Sequence, residues 1–424
     1  MFRCRFAFLF PVALILFQSC GTGGSSTHLP REGVWRVELD LHGHALPFQL
    51  QLFQNDPGQW VAEVHNASER ITVPDVNLHN DSVFLRMPLF DSEFRGSVRN
   101  DSTIEGVWIN YLKGPDYQIP FVAHAGLHHR FPGPSDGHAP VAGTWETHFS
   151  KGTIDAYNAI GLFEQHPEGR VSGTFVTETG DYRYLDGCVH GDSMKLSCFD
   201  GSHAFLFEAA LVGDSLRGTF WSGTHWEEPW LAIRNPEYTL RNPDSLTFLR
   251  EGQDMVDFNF PDLDGGSVSP HDLKYQGKVR LIQIMGSWCP NCVDETVLLG
   301  EVYKTYADSG LAVIAVAFEK HADKDRAVEG LKRFQRNLGV EYPIVHAGPT
   351  TKENLQRQLP FLDHMMSYPT CIFVDRNGTV RRIRTGFYGP STGDHYENYR
   401  RNLHAYIKTL LAEPVAPKQL ARVR

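Results

Sequence analysis

The chain has no cluster of basic residues: its 40 Lys and Arg are scattered, and 50 Asp and Glu leave a net charge of −10. That excludes the electrostatic footprint of a nucleic-acid binder. An N-terminal membrane span is also missing, because the apolar run from Phe6 to Phe17 is shorter than the roughly 20 residues a bilayer requires. Cysteine is sparse, with seven in 424 residues. One C-x-x-C occurs, and no second C-x-x-C or paired histidine in the C-terminal part completes a zinc set, which argues against a metal site. The apolar fraction of 41 % lies near the globular norm, and the length suggests two or three domains.

What is present begins with Met1-Phe2-Arg3-Cys4-Arg5, a basic start to the apolar run, as in a signal peptide. Gln18-Ser19-Cys20-Gly21 then puts a small residue before a cysteine at the cleavage point. This resembles a bacterial lipoprotein signal, although Phe17 and Gln18 depart from its commonest form. The expectation is a signal peptide over 1–19, lipidation at Cys20 and a Gly/Ser-rich tether over 20–33 that holds a folded body to a membrane. An exported chain meets an oxidising compartment, so a C-x-x-C there cycles or locks as a disulfide.

Residues 34–235 show short, alternating, aromatic-rich runs broken by Gly and Asn-Asp-Ser turns, the pattern of antiparallel β structure. An internal repeat lies within them. Asn80-Asp81-Ser82, Phe90-Asp91-Ser92, Asn100-Asp101-Ser102 and Gly106-Val107-Trp108 recur in order as Gly191-Asp192-Ser193, Phe199-Asp200-Gly201, Gly213-Asp214-Ser215 and Gly218-Thr219-Phe220-Trp221. Two β units follow, over 34–135 and 140–235, either as separate sandwiches or as parts of a barrel. Trp108, Trp221, Trp226 and Trp230 read as core. Cys188 and Cys198 flank a repeat turn and are candidates for a cross-strand disulfide.

After a connector over 236–256 the periodicity changes. Over 257–412, a hairpin near Phe258 to Val268 precedes a continuous apolar strand from Val279 to Met285. A helix is predicted from Pro290 to about Ala307, with Val297, Leu298, Val302 and Tyr306 facing inward. A strand at Leu311 to Phe318, a helix at Arg326 to Leu338, a strand at Pro343 to His346 and a short helix near Glu353 to Gln358 continue the alternation. Thr370 to Val374, a turn at Asp375-Arg376-Asn377-Gly378, Val380 to Arg384 and a helix over Tyr396 to Leu411 close it. Strands and helices alternating in this way form an α/β fold with a mixed sheet. Residues 413–424 read as a tail.

Trp288-Cys289-Pro290-Asn291-Cys292 falls where the buried strand turns into the first long helix. Free N–H groups and the positive helix end favour a sulfur anion there, so Cys289 is expected to be the attacking thiolate. Cys292, one helical turn on, faces it and can resolve a mixed disulfide. Pro290 sits in the first turn without losing a hydrogen bond.

Gly-Ser-Trp-Cys-Pro-Asn-Cys at a strand–helix junction, Glu295 three residues beyond it, and Tyr368-Pro369-Thr370 before a late strand together resemble the TlpA/ResA branch of the thioredoxin superfamily. The resemblance implies a thiol:disulfide oxidoreductase whose only redox centre is the Cys289–Cys292 pair, without an external cofactor. It further implies a cis Pro369 against the cysteines, with Trp288, Tyr368 and Thr370 meeting the client. The implied partners are exported proteins with disulfides and a membrane or periplasmic electron donor, and the implied direction is reduction of the client.

Glu295 is then a proton acceptor for Cys292, if burial raises its pKa, or an acid that complements the helix dipole. Gln283 stands where thioredoxin, an example in wide use, carries a buried Asp. Glu319 reads as a solvated strand-end acid and Cys371 as a core thiol. Two other functions stay open: a β-repeat module binding protein or glycan with an accessory redox domain, and a thiol-dependent peroxidase. Against the latter, Gly286 occupies the place where a peroxidatic site is expected to carry Thr or Ser.

Overall fold

The computed structural model describes residues 29–133 and 139–415. The expected signal segment, Cys20 and most of the tether and tail lie outside the described residues. An all-β N-terminal region precedes a thioredoxin-like α/β domain, and the repeat resolves as two barrel-like sheets.

In each barrel the strands run as an antiparallel meander, and the first strand pairs with the last: Gly33–Leu41 with Gln118–Ala125, and Gly143–Phe149 with Trp226–Arg234. The second sheet closes fully, because Tyr157–Gln165 also pairs with Arg170–Thr177. The repeated triplets fall at equivalent places. Asn80-Asp81-Ser82 and Gly191-Asp192-Ser193 sit at matching hairpin turns, as do the triplets at 100–102 and 213–215. Trp108 opposite Phe94 matches Phe220 opposite Phe207. Alternation buries one side of strands such as Gly33–Leu41 and Gly143–Phe149, and the second barrel has a core of packed rings around Phe149, Phe175, Phe207 and Phe220.

The barrels pack against each other through Phe199, which stacks on Phe48 at 4.5 Å and meets Phe94 and Trp108. Trp108, Trp221 and Trp230 are buried, whereas Trp226 is 42 % exposed at a barrel end, unlike the core position expected of it. Cys188 and Cys198 are both free thiols. The register opposes Cys188 to Lys195 and Cys198 to Phe205, so the two cysteines belong to different cores and the candidate disulfide does not form.

The connector is not bare: Phe248–Leu249 pairs with Leu362–His364, and Thr247 bonds Thr385 beneath the C-terminal sheet. That sheet has five strands, with Val279–Met285 central, parallel to Leu311–Glu319 and antiparallel to Thr370–Val374. The two central runs are buried at every position, which explains their unbroken apolar character. Helices α1 (Pro290–Tyr306), α2 (Lys324–Leu338), α3 (Lys352–Gln358) and α4 (Asp394–Ala412) complete the domain. In α1 the buried face carries Leu298, Leu299, Val302 and Tyr306, while Val297 is 46 % exposed: it lies one position, about 100°, off the stripe. Among the described residues no helix is long and apolar enough to cross a membrane.

Candidate active site

Cys289 is the N-cap of α1, and Pro290 fills its first helical position. The chain leaves the central strand at Met285 and turns through Gly286, where a Cβ would lie 2.7 Å from the Phe318 carbonyl. The cap orients the sulfur: the Cys292 N–H donates to Cys289 Sγ at 3.3 Å. On its other side Cys289 Sγ lies 3.7 Å from the Tyr368 carbonyl oxygen, and the Tyr368–Pro369 bond is cis. Cys289 retains 7 % exposure and Cys292 none. Burial and the neighbouring sulfur push the Cys292 thiol well up.

Beneath Cys292, Glu295 is 1 % exposed. The Gln283 side-chain amide donates to Glu295 at 3.0 Å and also reaches the Cys292 carbonyl at 3.4 Å, while the Thr296 hydroxyl donates to Gln283 Oε1. Among the described residues the second Glu295 oxygen has no hydrogen-bond partner. Burial raises this carboxyl to about 7, against the bond from Gln283. A second buried acid was not apparent in the sequence. Glu319 is 1 % exposed rather than solvated, because its strand ends under the motif; it accepts the Ser287 N–H at 2.8 Å and the Ser287 hydroxyl at 2.7 Å, and burial raises it to about 7.

Trp288 donates its indole N–H to the Phe318 carbonyl, meets Tyr368 edge-on and carries Lys320 over its ring at 4.4 Å. Thr370 is fully buried and its hydroxyl donates to the Ser367 carbonyl. Cys371 is a fully buried thiol of the central sheet.

The barrels roof this edge. Arg183 of the second barrel donates to the Pro290 carbonyl at 3.3 Å and to Asp294, and also pairs with Glu69 and Asp200. The Ser202 hydroxyl donates to the Trp288 carbonyl, and Asp181 accepts from the Gly389 N–H and Ser391 hydroxyl. From the first barrel, Asp91 accepts from His321 at 2.8 Å and Arg326 at 2.7 Å, while Arg86 completes the cluster. Phe90 enters the core of the α/β domain. Asp91 and Asp200 are repeat equivalents, so matching loops of both barrels bear on the same domain. The repeat pointed to these two acids; nothing local in the sequence marked Arg183.

Residues 252–383 match the AhpC/TSA family. A thioredoxin-like protein of Bacillus subtilis, YneN, is 30% identical over 138 residues, which span 32% of this chain and 73% of YneN. The chain belongs to the TlpA/ResA-like thioredoxin family. It is accordingly an oxidoreductase. Within that family the thiol-disulfide oxidoreductase ResA of Geobacillus kaustophilus is 29% identical over 142 residues, 33% of this chain and 72% of ResA. A thioredoxin family thiol:disulfide interchange protein from Chlorobium tepidum aligns over 38% of this chain and 99% of its own, at 20% identity and a TM-score of 0.29. The residues matched by the family, 252–383, fall in the end of the connector and the α/β domain.

Proposed function

We propose that Cys289 and Cys292 are the working dithiol of a reductant of client disulfides. The Cys289 thiolate attacks one sulfur of the client, the client S–S bond breaks, and the other client sulfur leaves as a thiolate. Glu295 takes the Cys292 proton, and the Cys292 thiolate attacks Cys289 Sγ. The second client sulfur departs, two electrons have passed to the client, and Cys289–Cys292 is a disulfide until an external dithiol donor reduces it. Pro369 and the Tyr368 carbonyl border the sulfur that reacts, and Trp288 walls it. In this reading the protein is exported, lipid-anchored at Cys20, and faces oxidised proteins outside the cytoplasm.

The observation that carries the proposal is the cap: one thiol takes the N–H of the other residue at a helix start, and a buried carboxyl lies beneath. The test is trapping. Cys292→Ala should accumulate a mixed disulfide with an oxidised peptide, while Cys289→Ser should neither trap nor reduce it. If Cys289→Ser kept full activity, the barrels rather than the dithiol would carry the function. The AhpC/TSA match makes peroxide consumption the second assay; turnover of peroxide faster than of disulfide would overturn the reductase reading.

A further inference from the structure

Equivalent strands set equivalent rings at one end of each barrel, Phe94 and Trp108 in the first and Phe207 and Phe220 in the second. In the first barrel, Phe199 of its neighbour fills that end against Phe48, Phe94 and Trp108. In the second barrel a ring of its own chain, Tyr182, takes the equivalent place against Phe207 and Phe220, and a cavity of about 560 Å³ lies beside it. Its walls include Tyr157, Phe205, Phe220 and Trp226, and its rim is completed by two residues of the α/β domain, Asn291 and Met366. Asn291 lies between the two cysteines; Met366 lies two residues before Tyr368, whose carbonyl borders Cys289 Sγ.

The cavity also holds a carboxylate. Glu228 is 3 % exposed, and its oxygens accept the Tyr157 hydroxyl at 2.8 Å and the Ser150 hydroxyl at 2.6 Å. Since Tyr157 donates to Glu228, its own oxygen accepts from Tyr182, and the chain of hydroxyls converges on the acid. Among the described residues Glu228 has no ion pair. A buried carboxylate without a cation is costly, and aromatic faces around it favour the same sign of guest. Two basic side chains, His203 and Lys113, also line the cavity, and neither reaches Glu228. His203 is held to Asp200, Lys113 keeps its charge while donating to His225, an imidazole that burial holds neutral, and a second lining acid, Glu178, is already paired with Arg241.

We infer that this cavity is a client subsite, taking a lysine or arginine side chain of an extended polypeptide whose cystine reaches Cys289. The aliphatic stem lies between the aromatic walls and the charged head meets Glu228. The inference rests on the dithiol reading and adds a substrate preference to it: a basic residue close in sequence to the cystine.

Three peptides with the same cystine and one varied flanking residue, Lys, norleucine or Glu, test this with the full chain. The kcat/KM for reduction should favour Lys over norleucine by roughly tenfold, as a desolvated cation–π contact with a charge-assisted hydrogen bond supports, and Glu should be poorest. In Glu228→Gln the Lys-to-norleucine ratio should fall toward one. Because a buried substitution can perturb folding, calorimetric titration of the unaltered protein with the same peptides, their cysteines replaced by serine, gives a second reading: Lys should bind more tightly. Equal kcat/KM and equal binding for Lys and norleucine would overturn the subsite. Failure to reduce hydroxyethyl disulfide, with the Lys preference in binding intact, would overturn the dithiol reading instead.

Discussion

Arg183 and Asp294 lie in different domains and share a hydrogen bond, which fastens the second barrel to the first turn of the helix that carries both cysteines. Against the cost of burial, Asp294, Glu69 and Asp200 hold Arg183 protonated, while the same burial lifts Asp294 itself to about 7. Arg183→Ala leaves Asp294 and Glu69 without their cation in a buried place, and leaves Asp200 with His203 alone. The expected loss of stability is about 3–5 kcal/mol, read as a lower midpoint in urea, and Arg183→Ala with Asp294→Asn should lose less than the sum of the two. Full additivity in that cycle would mean that the pair does not couple the domains.

Glu295 gives a prediction whose sign follows from linkage. Its carboxyl is held near 7 instead of 4.5, so the folded chain binds a proton there that the unfolded chain has released. Its contribution to stability is therefore full below about pH 4.5 and is lost as pH rises through 7. Glu295→Gln should flatten that fall in a series of melts from pH 4 to 8, and at pH 8 should unfold later than the parent. The rate at which Cys292 resolves a mixed disulfide should drop by roughly a hundredfold and lose its inflection near pH 7.

Asp91 behaves in the opposite sense. Against the cost of burial, hydrogen bonds from His321 and Arg326 and the charge of Arg86 hold its carboxyl well below the usual range. Its stabilisation is present above the ordinary carboxylate pKa and is lost as the solution becomes more acidic. Asp91→Asn should lower the melting temperature at pH 7 and matter progressively less toward pH 2. An Asp91→Asn deficit that stayed constant with pH would assign its effect to packing.

Much of this architecture was legible in the chain itself. The strand Thr370–Val374 and the start of α1 were readable to the residue because buried β runs and a proline at a helix start have unambiguous patterns. The repeat triplets mark real hairpin turns because such turns need Asn, Asp and Gly locally. Relations across space left no such mark. The register that separates Cys188 from Cys198 is set by neighbouring strands, and Glu319 is buried because its strand ends beneath Ser287. Arg183 acquires its role when a barrel is laid on a different domain, for which no local pattern exists.

Gly286 supplies the last prediction. A Cβ there would meet the Trp288 indole nitrogen at 2.1 Å and the Phe318 carbonyl oxygen at 2.7 Å, the two atoms that hydrogen-bond each other beside the motif. Gly286→Ala should break that bond, shift Trp288 fluorescence and slow disulfide exchange, whereas unchanged emission with unchanged exchange would show that the turn has room to spare. The same crowding rules out the Thr or Ser of a one-cysteine peroxide site at this place without a rebuilt turn.

The enclosure of Cys289 sets a mechanical threshold ahead of any chemical one. Cys289 is a residue only 7 % exposed beneath a roof of β loops, and on the dithiol reading a cystine locked within a rigid globule would not reach it. On that reading what arrives has to be slack enough to thread inward, so sorting by looseness of chain would precede sorting by redox potential.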